Sequence, residues 1–224
     1  IGFATYLDEA VKSIGAANTL YKDDRGRWYA ANTDYEAALA TLKTGLADRG
    51  DERLAGLKVL LLGAGGVSRA IGLAVSRAGA ALTVTNRNKS RGRALAETLS
   101  CQFINWENRG SMFVDVLINC TPVGMFPEMD DTPYPEHWLR EGMLVFDTIY
   151  NPENTLLIKN AKARGCATVS GIEMFLRQAG AQFECFVQRP APLDVMHTAL
   201  RQAMSPVRLP PPDAKNAPDA GDDA

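Results

Sequence analysis

The sequence predicts an α/β protein built on a doubly wound parallel sheet, and three observations carry that expectation. Short apolar runs alternate with helical segments from about residue 55 to 170. The first run, Leu57 to Leu62, is apolar without alternation, as in a strand buried on both faces. That run stops at Gly63-Ala64-Gly65-Gly66, where a helical pattern begins.

Taken in order, Ile1 to Leu46 holds a helical start, a Gly-Ala-Ala-Asn stretch, a hairpin about Asp24-Arg25-Gly26 and a helix from Asp34. These elements are too few to close a core alone and are expected to pack on something else. After the strand at 57–62, residues 67–79 place Val67, Ala70, Ile71, Ala74 and Val75 at helical spacing. Ala81 to Thr85 is a short β-branched strand, and residues 88–100 form a helix with Ala94, Leu95 and Leu99 on one face. "CQFI" at 101–104 and "FVDVLINC" at 113–120 are the next strands, followed by a Pro-rich loop from Pro122 to Pro135. Residues 142–150 give another strand, 154–165 an amphipathic helix stopped by Gly165, and "CATVS" the last strand. Residues 171–204 read as helical, with Ile172, Phe175, Leu176, Ala179, Phe183 and Phe186 apolar. The tail, 205–224, carries five prolines and four aspartates and is expected to be disordered.

Bulk properties narrow the function classes. With 46% hydrophobic residues and 22% charged, the 224-residue chain has the composition of an ordinary globular protein. A net charge of −2 gives no electrostatic grip on nucleic acid or an anionic membrane, and no apolar run has the roughly 20 residues of a membrane span. Cys101, Cys120, Cys166 and Cys185 are scattered, and His137 and His197 lack spaced partners, so neither a disulfide framework nor a metal site is expected. The setting implied is the reducing cytoplasm. The chain opens at Ile1 without a charged leader, as a processed chain or a portion of a longer polypeptide would.

The chemistry begins at the glycine cluster. One glycine allows the sharp turn, another lets a pyrophosphate approach, and the amides that open the helix at Val67 face the phosphates. Gly63, Ala64, Gly65, Gly66 and Val67 are therefore candidate dinucleotide-binding residues of a Rossmann-type unit; the alternative is a purely structural turn. An NAD-preferring unit places Asp or Glu at the end of the second strand to bond the ribose hydroxyls. Here the stretch reads Asn86-Arg87-Asn88-Lys89-Ser90-Arg91. No carboxylate stands there to repel a 2′-phosphate, Asn86, Arg87, Asn88 and Arg91 are candidate cofactor-binding residues, and the two arginines attract the phosphate, so NADP is the expected cofactor. Lys89 reads as a solvated residue at the start of a helix.

Together with "GAGGVSRA" and "NRNKSR", the segments "IGAANTL" (14–20), "ANTDYEAAL" (31–39), "INCTPVGM" (118–125), "FDTIYNPENTLLIKNAKARG" (146–165) and "GIEMFLRQAGAQFECF" (171–186) resemble the NADP-linked shikimate dehydrogenase family, in family order. The resemblance implies reversible NADPH-dependent reduction of 3-dehydroshikimate to shikimate. It implies Asp34 as a catalytic and substrate-orienting carboxylate, with an ordinary helix N-cap as the alternative. It also implies Asn18, Thr19, Tyr150 and Gln178 at the substrate. Thr121, Val123, Gly124, Met125, Gly171 and Met174 match positions lining the nicotinamide pocket, core packing being the other account of the two methionines. The resemblance also implies a carboxylate-binding Ser-x-Ser motif and a Pro-His-Lys motif that provides the catalytic lysine, yet both are absent, and neither Lys12 nor Lys22 stands in such a motif.

The expected organisation is thus a partial substrate domain at 1–50, an NADP-binding domain at 51–170, helices at 171–204 returning to the substrate domain, and the tail. The chain reads as a portion of a larger polypeptide that lacks the N-terminal part of the substrate domain. A fused dehydroquinate dehydratase is one form that polypeptide could take. Two other readings stand beside the leading one: a quinate/shikimate dehydrogenase, and a non-catalytic NADP-binding module.

Overall fold

The structure is a computed structural model and describes residues 1–47, 50 and 52–204. The tail at 205–224 lies outside the described residues. A small sheet comes first: β1 (Tyr6–Leu7), α1 (Glu9–Ile14), β2 (Thr19–Lys22) and β3 (Trp28–Ala31), in the order β1-β3-β2. β2 and β3 form the expected hairpin, with Leu20 opposite Ala30, while β1 runs parallel to β3. Two residues cannot display a period, so β1 had no signature in the sequence.

Helix α2 (Thr33–Ala47) leads into a six-stranded parallel sheet. Its strands are β4 (Lys58–Leu62), β5 (Ala81–Asn86), β6 (Gln102–Asn105), β7 (Val116–Asn119), β8 (Leu144–Asp147) and β9 (Ala167–Val169). They lie in the order β6-β5-β4-β7-β8-β9, reversing direction of growth beside β4. The crossovers are α3 (Gly66–Arg77), α4 (Lys89–Thr98) and α5 (Leu156–Ala163). This is the doubly wound sheet that the alternating segments predict.

Successive residues of β4 feed opposite cores. Val59 and Leu61 join Ile71, Val75, Leu95 and Leu99 under α3 and α4, together with Ala38, Leu42 and Leu46 of α2. Leu60 and Leu62 join Leu157, Ile158 and Ala161 of α5, with Tyr134 and Leu139 from the long connection after β7. Each fully buried leucine of this set contributes on the order of 2 kcal/mol of hydrophobic stabilisation. The N-terminal elements pack on the rest as expected, with α1 and α2 against α3 and α2 against α6 (Gly171–Val187). Helix α7 (Leu193–Met204) packs on α6.

Two strands are shorter than their apolar runs. Phe113 is exposed, and the Asp115 carboxylate accepts from the Lys58 amide at 2.8 Å, so residues 113–115 are an entry bracket before β7 begins at Val116. β8 ends at Asp147 because its side chain turns inward to hold the following loop, described below. No helix among the described residues is long and apolar enough to cross a membrane.

Candidate functional site

At the carboxyl edge of the large sheet, the loops after β4, β5, β6, β7 and β8 meet the amino ends of α2, α3 and α6, and two cavities open there. The larger, about 370 Å³, is lined by Asn18, Asp34, Val67, Thr148, Tyr150, Gly171, Met174, Phe175, Gln178 and Gln182. The other, about 170 Å³, gathers Gly63, Ala64, Gly65, Asn86, Arg87 and Arg91 with Trp106 and Thr121. A roomier hollow of about 650 Å³ lies at the opposite edge, around Lys58, Ser76 and Gln102, and holds none of the candidate residues.

The first cavity is set by the start of α2. Asn18 accepts from the Thr33 amide at 3.0 Å and donates to the Thr33 hydroxyl at 3.1 Å. Asn32 accepts from the Asp34 amide at 3.1 Å and is itself anchored by its amide to Asp8 at 2.7 Å. These two asparagines satisfy two of the orphan donors of the first turn. The N-cap alternative for Asp34 is thereby corrected: the helix begins at Thr33, one residue before it, and leaves its carboxylate to face the cavity. Burial holds that carboxyl above the usual carboxylate range, and a hydrogen bond with Asn18 pulls the other way. Thr19 does not line the cavity; it is buried behind Asn18 and donates to it at 2.8 Å.

The opposite wall comes from α6 and the loop after β8. Tyr150 packs on Phe175, ring centres 4.7 Å apart, which positions the phenol at the rim. Gly171, the first residue of α6, lies against the Thr148 and Ile149 backbone so closely that no Cβ fits. Lys12 pairs with Glu9 and Lys22 lies over the Trp28 ring, and no lysine lines this cavity among the described residues.

In the second cavity Gly63 adopts a φ of +111°, and a Cβ there would stand 2.8 Å from the Cys120 carbonyl oxygen. This glycine is needed where the loops after β4 and β7 touch. Gly65 and Gly66 by contrast face open space. The buried Ser68 hydroxyl accepts from the Gly65 amide at 3.1 Å and fixes the turn, while the first-turn amides of α3 have no intrahelical acceptor. Arg87 and Arg91 are exposed at the rim with no ion pair engaging either among the described residues. Open glycines, free amides and two guanidinium groups make a cradle for phosphates. Asn88 serves differently: its side chain accepts from the Arg91 amide at 3.1 Å and caps α4. Gly66, Val123, Gly124 and Met125 line neither cavity, and Val123 is held through its amide by the Thr121 hydroxyl at 3.3 Å.

Beneath both cavities lies Asp147, fully buried and accepting from Asn119 at 3.0 Å, the Ile149 amide at 3.1 Å and the Thr155 hydroxyl at 2.7 Å. Desolvation pushes its carboxyl up to about 6, outweighing those three donors. An acid raised on folding is stabilising to the folded state only while protonated, so its contribution is lost as pH rises from the unfolded value, 3.8, through about 6. Urea unfolding of wild type and Asp147→Asn, compared between about pH 4 and 7, is expected to shift in favour of the variant by up to about 3 kcal/mol. A gap that does not change with pH would rule out a buried, titrating Asp147.

Thr148, Phe175, Gln182, Trp106, Cys120 and Pro122 line the cavities without having been singled out from the sequence. Signals for them existed. Phe175 and Gln182 lie three residues before and four after Gln178, on one helix face, and Thr148 and Trp106 follow strands at their carboxyl ends. Among the described residues no group of three His, Cys, Asp or Glu is placed to hold a metal.

Comparison with known proteins bears on the same surfaces. Residues 171–201 match the family model described as the shikimate 5′-dehydrogenase C-terminal domain. A shikimate dehydrogenase (NADP(+)) of Moorella thermoacetica is 34% identical over 91% of this chain and 71% of its own length. The bifunctional 3-dehydroquinate dehydratase/shikimate dehydrogenase of Arabidopsis thaliana is 35% identical over 84% of this chain and 33% of its own. Among solved structures, a shikimate dehydrogenase crystallised with NADP+ superposes with a TM-score of 0.81 at 28% identity, covering 91% of this chain and 72% of the other.

Proposed function

Since the chain belongs to the shikimate dehydrogenase family, we propose that its smaller cavity holds the phosphates of NADP(H) and its larger one a shikimate-type substrate. The reaction supported best is the reversible NADPH-dependent reduction of 3-dehydroshikimate to shikimate. The observation that carries it is the placement of Asp34 and Gln178 in one cavity with Val67, which opens α3 two residues after Gly65 of the other cavity.

The residues fit the dinucleotide. Gly65 and Gly66 leave the space a diphosphate needs, and Arg87 and Arg91 stand where a 2′-phosphate would be held, with no carboxylate lining that cavity. When bound, the nicotinamide supplies the hydride. The chain's own residues do the rest: Asn18 and Asp34 hydrogen-bond ring hydroxyls, Asp34 holds a proton near the reacting oxygen, and Gln178 and Tyr150 orient the ring from α6 and the β8 loop. Residues 51–170 serve the cofactor in this reading, and residues 1–50 with 171–204 the substrate. A cytoplasmic setting suits the four free thiols.

The test is a ternary titration. NADPH fluorescence should change on binding the chain and change again on adding shikimate. Asp34→Asn should weaken shikimate by about ten-fold or more and leave NADPH within about two-fold. Turnover by the 224-residue chain is expected to be slow, because no lysine lines the cavity among the described residues. Shikimate affinity unchanged in Asp34→Asn would overturn the substrate assignment.

A further inference from the structure

We propose that Asp147 is a positioning residue that sets the two loops bordering the cofactor cleft, the one after β7 through the side-chain amide of Asn119 and the one after β8 through the Ile149 amide. This rests on the reading that the cleft takes NADP(H).

Asp147 and Asn119 are register partners at the carboxyl ends of β8 and β7, and both side chains are fully buried. A carboxylate only accepts, so Asp147 selects the NH2 side of the Asn119 amide, at 3.0 Å. That choice turns the Asn119 carbonyl oxygen toward the next loop. There it receives the Thr121 amide at 2.9 Å and the Thr121 hydroxyl at 2.7 Å. The Asn119 main-chain oxygen meanwhile accepts the Thr148 amide at 3.0 Å and the Thr148 hydroxyl at 2.8 Å. Thr121 lines the phosphate cavity and Thr148 the substrate cavity. The buried pair therefore sets Thr121 through the Asn119 side chain, while Asp147 holds the Thr148 loop directly by accepting the Ile149 amide at 3.1 Å. The other Asp147 oxygen takes the Thr155 hydroxyl, which in turn caps α5 by accepting the Ile158 amide at 3.3 Å.

Stability alone does not account for an acid here. No ion pair engages Asp147 among the described residues, and desolvation outweighs the three hydrogen bonds it accepts, while an apolar side chain would leave Asn119, Ile149 and Thr155 as unpaired donors. What an apolar side chain cannot do is choose the orientation of Asn119.

The experiment is calorimetric titration with two probes. NADP+ spans the cleft, whereas 2′,5′-ADP carries the phosphates and adenosine and stops short of the nicotinamide end. In Asp147→Ala, NADP+ affinity should fall about ten-fold or more and 2′,5′-ADP, which meets the Thr121 loop and not the Thr148 loop, by a smaller factor of about three-fold. Asp147→Asn keeps an acceptor for Asn119 and Ile149 and should restore NADP+ to within about three-fold. Should Asp147→Ala fail to fold, Asn119→Ser breaks the same link from the other side and is read the same way. NADP+ affinity unchanged in the broken-link variant, or both probes lost equally, would overturn the proposal. Wild-type protein that binds neither probe would overturn the cofactor reading itself, a result distinct from either.

Discussion

Replacing Arg87 by alanine is expected to weaken NADP+ binding by roughly 10- to 100-fold while NAD+ binding changes by no more than about two-fold. Arg87 follows the last residue of β5 and lines the smaller cavity with Arg91 and Asn86. A 2′-phosphate there gains charge-assisted hydrogen bonds from a guanidinium that no ion pair engages among the described residues. NAD+ has no group at that position, so it should feel the change little. Arg91 remains in the variant and limits the loss. Arg87→Lys should fall between, because an ammonium keeps the charge and loses the planar fork. Isothermal titration of both cofactors against wild type and both variants decides the matter. A wild type that binds NAD+ as tightly as NADP+ would defeat the assignment.

The second large effect is expected at Gly171. Gly171→Ala drives a Cβ against the backbone of Thr148 and Ile149, which unlike a flexible side-chain tip cannot swing away. The cost should be about 3 kcal/mol or more, at the upper end of overpacking substitutions. For a chain of this size that lowers Tm by roughly 6 to 12 °C. The displaced backbone carries Thr148 and leads to Tyr150, both lining the larger cavity, so shikimate affinity should drop in the fraction that remains folded. Thermal unfolding with a shikimate titration checks both parts, and a wild-type Tm would show that α6 docks more loosely than this contact implies.

The sheet was legible because its signals are local. The unbroken apolar run of β4 announces burial on two faces, and Gly63 to Gly66 mark the turn into α3. What stayed hidden depends on partners distant in sequence. Tyr134 fills the second core from a Pro-rich connection with no period of its own, and β1 exists only because β3 offers an edge. The site divides in the same way. The glycine cluster, Arg87, Asp34 and Gln178 sit in motifs that can be read from neighbours, and apart from Gly66 they line one or other of the two cavities. Thr19 and Asn88 stand in the same motifs yet turn to other duties, one behind Asn18 and one capping α4. The role of Asp147 depends on Asn119, 28 residues earlier, and no spacing rule joins the two.

Helix α2 has a consequence for anyone wishing to splice this protein. The seam the sequence suggests divides residues 1–50 from the large sheet, yet α2 lies upstream of it. Its carboxyl half is seated on the large sheet, where a Cβ at Gly45 would crowd Val169 and stand 3.1 Å from Leu144 Cδ1. A cut at the seam would strip Leu42 and Leu46 from that face and leave an oily scar across β8 and β9. The transplantable unit is therefore the large sheet together with α2. In any such graft the acid at Asp34 travels with the large sheet, and of the described residues lining the larger cavity Asn18 alone is left behind with the small sheet.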